Sequence, residues 1–108
     1  MEPDIKDFVL LLAQYGPLTP AGFALKLQEE VGELRAAIEG QNRDHILEEL
    51  ADCLICLDAV LVLLGGDGHQ ASNAVRDKLC KNMQRKWEYR PNGTFKHIKE
   101  TKDEAPNK

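Results

Sequence analysis

The sequence predicts an all-α domain of four helices, closed by a short C-terminal hairpin or irregular tail. Three observations carry that expectation. Apolar residues recur at helical spacing to about residue 86. Helix-starting and helix-stopping residues punctuate that pattern at regular intervals. Only after Trp87 does the pattern change to alternation around a Pro-Asn-Gly turn.

The first helix is expected from Asp4 to near Tyr15, with Ile5, Phe8, Val9, Leu11 and Leu12 as its apolar positions and "YGP" as its stop. Thr19 is the candidate N-cap of the second, and Pro20 suits its first helical position. That helix continues to about Glu39 and ends at Gly40. The third begins at Asn42 or Asp44, extends to Leu64 and stops at Gly65-Gly66. A fourth spans roughly residues 68–87. The stretch "WEYRPNGTFKHI" then reads as a hairpin, and the last ten polar residues as a frayed end. All 108 residues make one domain by size, with a helical core over about 4–87 and a tail over 88–108.

Composition narrows the function classes. A net charge of −4 argues against a nucleic-acid-binding surface. The apolar run near the N-terminus follows acids and lacks a basic flank, so it does not read as a signal peptide. The longest apolar stretch, Leu50 to Leu64, is broken by Asp52 and Asp58 and is too short to span a bilayer. Three cysteines are an odd number for a secreted disulfide framework, so a reducing cytoplasm is expected. The same stretch is apolar nearly all round, more than a chain this small can cover, which predicts a homo-oligomer.

The acids need a separate account. A helix turns about 100° per residue. With Glu30 as origin, Glu33 lies about 60° and Glu29 about 100° to one side, with Lys26 about 40° away. Leu27, Val31, Leu34 and Ile38 form an adjacent apolar stripe. On the third helix Glu49 and Asp52 are three apart, beside Leu50, Cys53, Leu57 and Leu61. A short connection from Gly40 to Asp44 suits an antiparallel pair, which would make four carboxylates converge. At roughly 6 Å and an effective dielectric near 20, each like-charged pair costs about 3 kcal/mol. A hard divalent cation such as Mg2+ or Mn2+ offsets that cost with oxygen ligands alone.

The stretches "EEVGE" and "EELAD" resemble the ExxE…ExxD signature of the MazG-like, all-α nucleoside triphosphate pyrophosphohydrolases. Here the pairs are Glu30 with Glu33 and Glu49 with Asp52, separated by the fifteen residues Leu34 to Glu48. The resemblance covers about residues 20–87 and implies a four-helix MazG-like bundle, a dimer or dimer of dimers. It implies a magnesium-dependent hydrolase that cleaves a nucleoside triphosphate between the α and β phosphates, releasing a monophosphate and pyrophosphate. By that analogy Glu30, Glu33, Glu49 and Asp52 bind metal. Glu29 and Glu30 are the catalytic candidates, with Glu29 a further ligand or an orienter of the attacking water. Lys78, Asn82 and Arg85, which share a side of the fourth helix with Lys81, are candidates for the phosphates, and Lys26 is another. Phosphoribosyl-ATP or a deoxynucleoside diphosphate is the alternative substrate. A non-catalytic helical module that binds nucleotide is the alternative from a different class.

Other residues have simpler expectations. Cys53 and Cys56 read as core, since no second Cys or His pair accompanies them to make a zinc site. His45, His69 and His97 show no metal spacing. Trp87 either stacks on a base or closes the end of the core. Asp58 is expected to pair with a basic residue across a subunit contact.

Overall fold

The computed structural model describes residues 2–99. Four helices are followed by two short strands: α1 (Ile5–Ala13), α2 (Pro20–Gly40), α3 (Arg43–Leu63), α4 (Gly68–Met83), β1 (Trp87–Tyr89) and β2 (Phe95–His97). The chain up to Ser72 makes one compact unit and the chain from Asn73 a second. The frayed end expected of the last ten residues falls, but for Lys99, outside the described residues.

Local chemistry places each helix start. Asp4 caps α1 by accepting from the Asp7 amide at 2.9 Å, and the Asp7 carboxylate accepts from the Asp4 amide in return. Thr19 Oγ1 accepts from the Gly22 amide at 3.0 Å, ahead of Pro20. Asn42 Oδ1 accepts from the His45 amide at 3.1 Å. Before α4, Asp67 accepts from the amides of His69 and Gln70, and Gln70 Oε1 accepts from the Asp67 amide.

The helix ends differ in kind. α3 closes as expected at its glycine pair. Gly65 sits at φ 86°, its amide donates to the Val62 carbonyl, and the Gly66 amide donates to Leu61. α2 ends at Gly40, as expected, but Gly40 does not supply the left-handed turn. Gly40 remains helical, and the left-handed residue is Gln41 at φ 61°. The N-cap at Asn42 follows directly, so the reversal has to happen at position 41 whatever residue stands there.

In the first unit, α2 and α3 form the principal helix pair and α1 lies against α3. Val9, Phe23, Cys56 and Ala59 are the buried centre, with Ile5, Leu12, Leu18, Leu27, Val60, Val62 and Leu63 packed around them. Ala37 and Cys53 are also buried. On α2 the buried residues are Phe23, Glu30 and Ala37, each seven apart and so on one face after two turns. The expected stripe is therefore corrected. Leu27 packs on the core, but Val31 and Ile38 are exposed. On α3 the buried seam is Cys53, Cys56 and Ala59, while Leu50 and Leu57 are exposed. Small side chains line the seam because they let two helices approach closely, leaving the larger leucines outside.

In the second unit, α4 stops at Met83 rather than near residue 87. The Gln84 and Arg85 amides close it with bonds to Lys81 and Asn82 carbonyls. Trp87 instead begins the expected hairpin, whose register pairs Trp87 with His97 and Tyr89 with Phe95. Pro91, Asn92 and Gly93 make the turn, with Gly93 at φ 90°. The Gly93 amide donates to Arg90, and the Arg90 amide donates to Thr94 at 2.7 Å. Trp87 Nε1 donates to the Asn82 carbonyl at 3.0 Å, and the indole meets Phe95 and His97 edge-on. Trp87 therefore joins the hairpin to the end of α4 and is not part of the buried core.

Candidate metal centre

Two of the predicted carboxylates are carried into the α2–α3 seam by helix geometry. Glu30 lies between Phe23 and Ala37 on the buried face of α2, with its side chain only 10% exposed. Glu49 lies one turn before Cys53 on α3, with its side chain 14% exposed. Asp52, a turn after Glu49, is exposed at the rim. One oxygen from each of Glu30, Glu49 and Asp52 lies within 4.8 Å of the others. Glu33 is one turn further along α2, exposed, and is not one of these three.

Each of the two inner carboxylates is half satisfied. Glu30 Oε2 faces Lys26 Nζ at 3.5 Å, and Glu49 Oε2 faces His45 Nε2 at 3.3 Å. Glu30 Oε1 and Glu49 Oε1 are fully buried and have no hydrogen-bond partner. A buried carboxylate oxygen without a donor is costly, and a cation held by these carboxylates would offset that cost. The donor set is oxygen throughout, which fits Mg2+ or Mn2+ rather than a softer metal.

Lys26 is tied to the cluster and to Glu29. Its Nζ donates to Glu29 Oε1 at 3.2 Å. That hydrogen bond, then the Glu29 and Glu30 charges, raise its pKa above the ordinary lysine value, so it stays protonated. Glu29 itself is exposed. Beside Lys26 opens a cavity of about 390 Å³ lined by Leu12, Tyr15, Pro17, Leu18 and Phe23. Sequence reasoning did not find it, because its walls come from the end of α1, a loop and the start of α2, which no single periodicity links.

The cysteines behave as core. Burial pushes the Cys53 and Cys56 thiols up, and nearby Glu30 adds to the effect in both. All three cysteines are free.

The remaining candidates lie in the second unit. Lys78 and Asn82 are on α4. Arg85 lies beyond the helix end, so helical periodicity does not set its direction. It is held instead by Nη1 donating to Asn82 Oδ1 at 3.0 Å. Asp58, in the first unit, borders a separate cavity with Asp4, Ile5, Lys6 and Asp67.

The fold and the acids on its first helix pair define a class. A family model of the MazG nucleotide pyrophosphohydrolase domain matches residues 18–90. The chain belongs to the MazG nucleotide pyrophosphohydrolase family, and it is an enzyme of that class rather than a non-catalytic helical module. Among its relatives is the dATP/dGTP diphosphohydrolase of Cyanophage S-2L, 40% identical over 79 residues, which span 73% of this chain and 69% of that protein. A solved structure of the Cyanophage S-2L MazG-like pyrophosphohydrolase is also similar, at 32% identity and a TM-score of 0.62, covering 94% of this chain and 99% of that one. That protein is bound to dGDP and three catalytic Mn2+ ions per active site. Among the described residues, no helix is long and apolar enough to cross a membrane.

Proposed function

We propose that this protein hydrolyses deoxynucleoside triphosphates between the α and β phosphates, giving a deoxynucleoside monophosphate and pyrophosphate. dATP and dGTP are the first candidates, from the name of the 40% identical relative. The observation that carries the reading is the trio Glu30, Glu49 and Asp52, with two buried carboxylate oxygens lacking a partner.

Glu30, Glu49 and Asp52 would hold the metal from the seam, and Glu33 from the rim of α2. Bound Mg2+ or Mn2+ supplies charge neutralisation for the polyphosphate and acidifies water. Glu29, held by Lys26 at the edge of the cluster, orients the attacking water. The Lys26 ammonium presents positive charge between the acids and the 390 Å³ cavity, whose apolar walls suit a sugar or base. Lys78, Asn82 and Arg85 bind phosphate oxygens through their donors, the Asn82–Arg85 bond setting the guanidinium's direction. The enzyme acts as a homo-oligomer in the cytoplasm, where its free thiols stay reduced.

A second reading has its own observation: the similar solved structure holds dGDP. Cleavage of a deoxynucleoside diphosphate would release orthophosphate. The test is a panel of dNTPs, dNDPs and phosphoribosyl-ATP with Mg2+ or Mn2+, scoring pyrophosphate and orthophosphate separately. Metal-dependent pyrophosphate release from a dNTP is expected. Orthophosphate from diphosphates alone would replace the first reading with the second, and no release from any substrate would sink both.

A further inference from the structure

We infer that His45 is a positioning residue for the metal centre: its imidazole fixes one oxygen of Glu49 and so commits the other to the metal. The inference rests on the metal-site reading above and adds a residue that no metal-ligand spacing marked.

The geometry begins at the helix start. Asn42 Oδ1 captures the His45 amide at 3.1 Å, which locks the first turn of α3 and sets where the His45 side chain leaves the helix. Four residues on, Glu49 is stacked directly over it, as i and i+4 residues are. Nε2 reaches Glu49 Oε2 at 3.3 Å. Asn42, His45 and Glu49 thus form a short relay along one side of α3, from cap to ligand.

The consequence lies in what remains of Glu49. An unrestrained glutamate rotates about its last torsion and offers either oxygen, or both. With Oε2 held, Oε1 is the free donor, and it is the atom that is buried without a partner. Glu30 shows the same arrangement with a lysine one turn before it. Lys26 Nζ faces Glu30 Oε2, and Glu30 Oε1 is the orphan. The two helices therefore present one committed oxygen each from matching constructions. Lysine is a flexible point charge that also serves Glu29, whereas an imidazole on a capped first turn has far fewer positions available. That makes His45 the better holder. An imidazole that carries a proton on Nε2 is a donor at that atom, the one that faces Oε2.

Outer partners of metal-binding carboxylates typically influence metal affinity by 10–100-fold. The experiment measures Mn2+ binding to the full chain by electron paramagnetic resonance, with no substrate, for the parent, His45→Ala, His45→Gln and Glu49→Gln. The expected result is a roughly 10–100-fold weaker dissociation constant for His45→Ala. His45→Gln, whose amide N–H replaces Nε2–H, should recover most of the loss. Glu49→Gln should lose the site. Pulsed spectra of the parent–Mn2+ complex should show no directly bound nitrogen. Parent-like affinity in His45→Ala with loss in Glu49→Gln overturns the inference and leaves the metal site standing. Parent-like binding in Glu49→Gln overturns the metal-site reading itself. A nitrogen coupling that disappears in His45→Ala also overturns the inference, since His45 would then be a ligand. Circular dichroism melts of each variant separate lost affinity from lost fold, and equal loss in His45→Ala and His45→Gln at unchanged melting counts against positioning.

Discussion

At the scale of single residues, Glu30 is the buried charged side chain among the described residues. Sequence periodicity placed it at the edge of an apolar stripe, yet it lies in the seam between Phe23 and Ala37. The discrepancy has a physical source. A hydropathy pattern assigns the buried face to the leucines, and a buried carboxylate is invisible to it. What was legible was a meeting of acids: of the four expected to converge, Glu30, Glu49 and Asp52 offer oxygens within 4.8 Å of one another. The cost of assembling them leads to a prediction. At about 5 Å and an effective dielectric near 20, each pair of like charges opposes folding by roughly 3 kcal/mol. Removing a charge from Asp52, which makes no ion pair among the described residues, should relieve that repulsion. Asp52→Asn is expected to melt at or above the parent temperature without metal, yet to lose turnover and the upward shift that Mn2+ gives the parent. A hundredfold excess of Mn2+ over its dissociation constant should stabilise the parent by about 2.7 kcal/mol. Destabilisation of Asp52→Asn with full activity retained would show the carboxylate to be structural.

At the scale of elements, helix starts were readable from the sequence because they are decided within four residues. Thr19–Pro20 and Asn42 cap where their side chains can reach an amide three residues on, whatever the rest of the chain does. The Gly65–Gly66 stop is equally local. The end of α4 was misplaced by four residues because Trp87 belongs to a strand whose partner, His97, is ten residues away. The connection between α2 and α3 offers a direct measurement. Gln41 stands in the left-handed region, where an L-residue with a Cβ is disfavoured by roughly 1–2 kcal/mol. Gly40, one position earlier, gains nothing from its freedom there. Gln41→Gly should therefore stabilise the protein by about 0.5–1 kcal/mol, after the extra freedom of glycine in the unfolded chain is subtracted. Chemical denaturation with an unchanged slope would register the gain. A loss of stability would mean that the Gln41 side chain supplies something beyond its backbone conformation.

At the scale of the whole molecule, the placement of the leucines motivates association. The α2–α3 seam is filled by Phe23, Ala37, Cys53, Cys56 and Ala59, and although Val60, Val62 and Leu63 pack around the core of the first unit, a row of α3 leucines does not. Leu47, Leu50, Leu54, Leu57 and Leu64 are exposed, Leu54 to 54% and Leu64 to 68%. Their spacing of three, four, three and seven keeps them on one side of the helix, the pattern of a seam that packs against another helix. The stripe spans seventeen residue steps, about 26 Å of helix, which is long enough for an interface of standard size. Leaving it in water would cost stability that a chain with a core this small cannot spare. The proposed oligomer is therefore expected to form through α3. Sedimentation of the parent at micromolar concentration should give a dimer or larger species, and Leu54→Glu combined with Leu57→Glu should dissociate it. The same pair of substitutions asks whether a site is complete within one chain. Neither residue is among the metal-binding candidates, so a monomer that still binds Mn2+ but has lost pyrophosphate release would place part of the substrate site on a second copy. A parent that sediments cleanly as a monomer would leave the stripe exposed for another reason and remove the argument from helix burial.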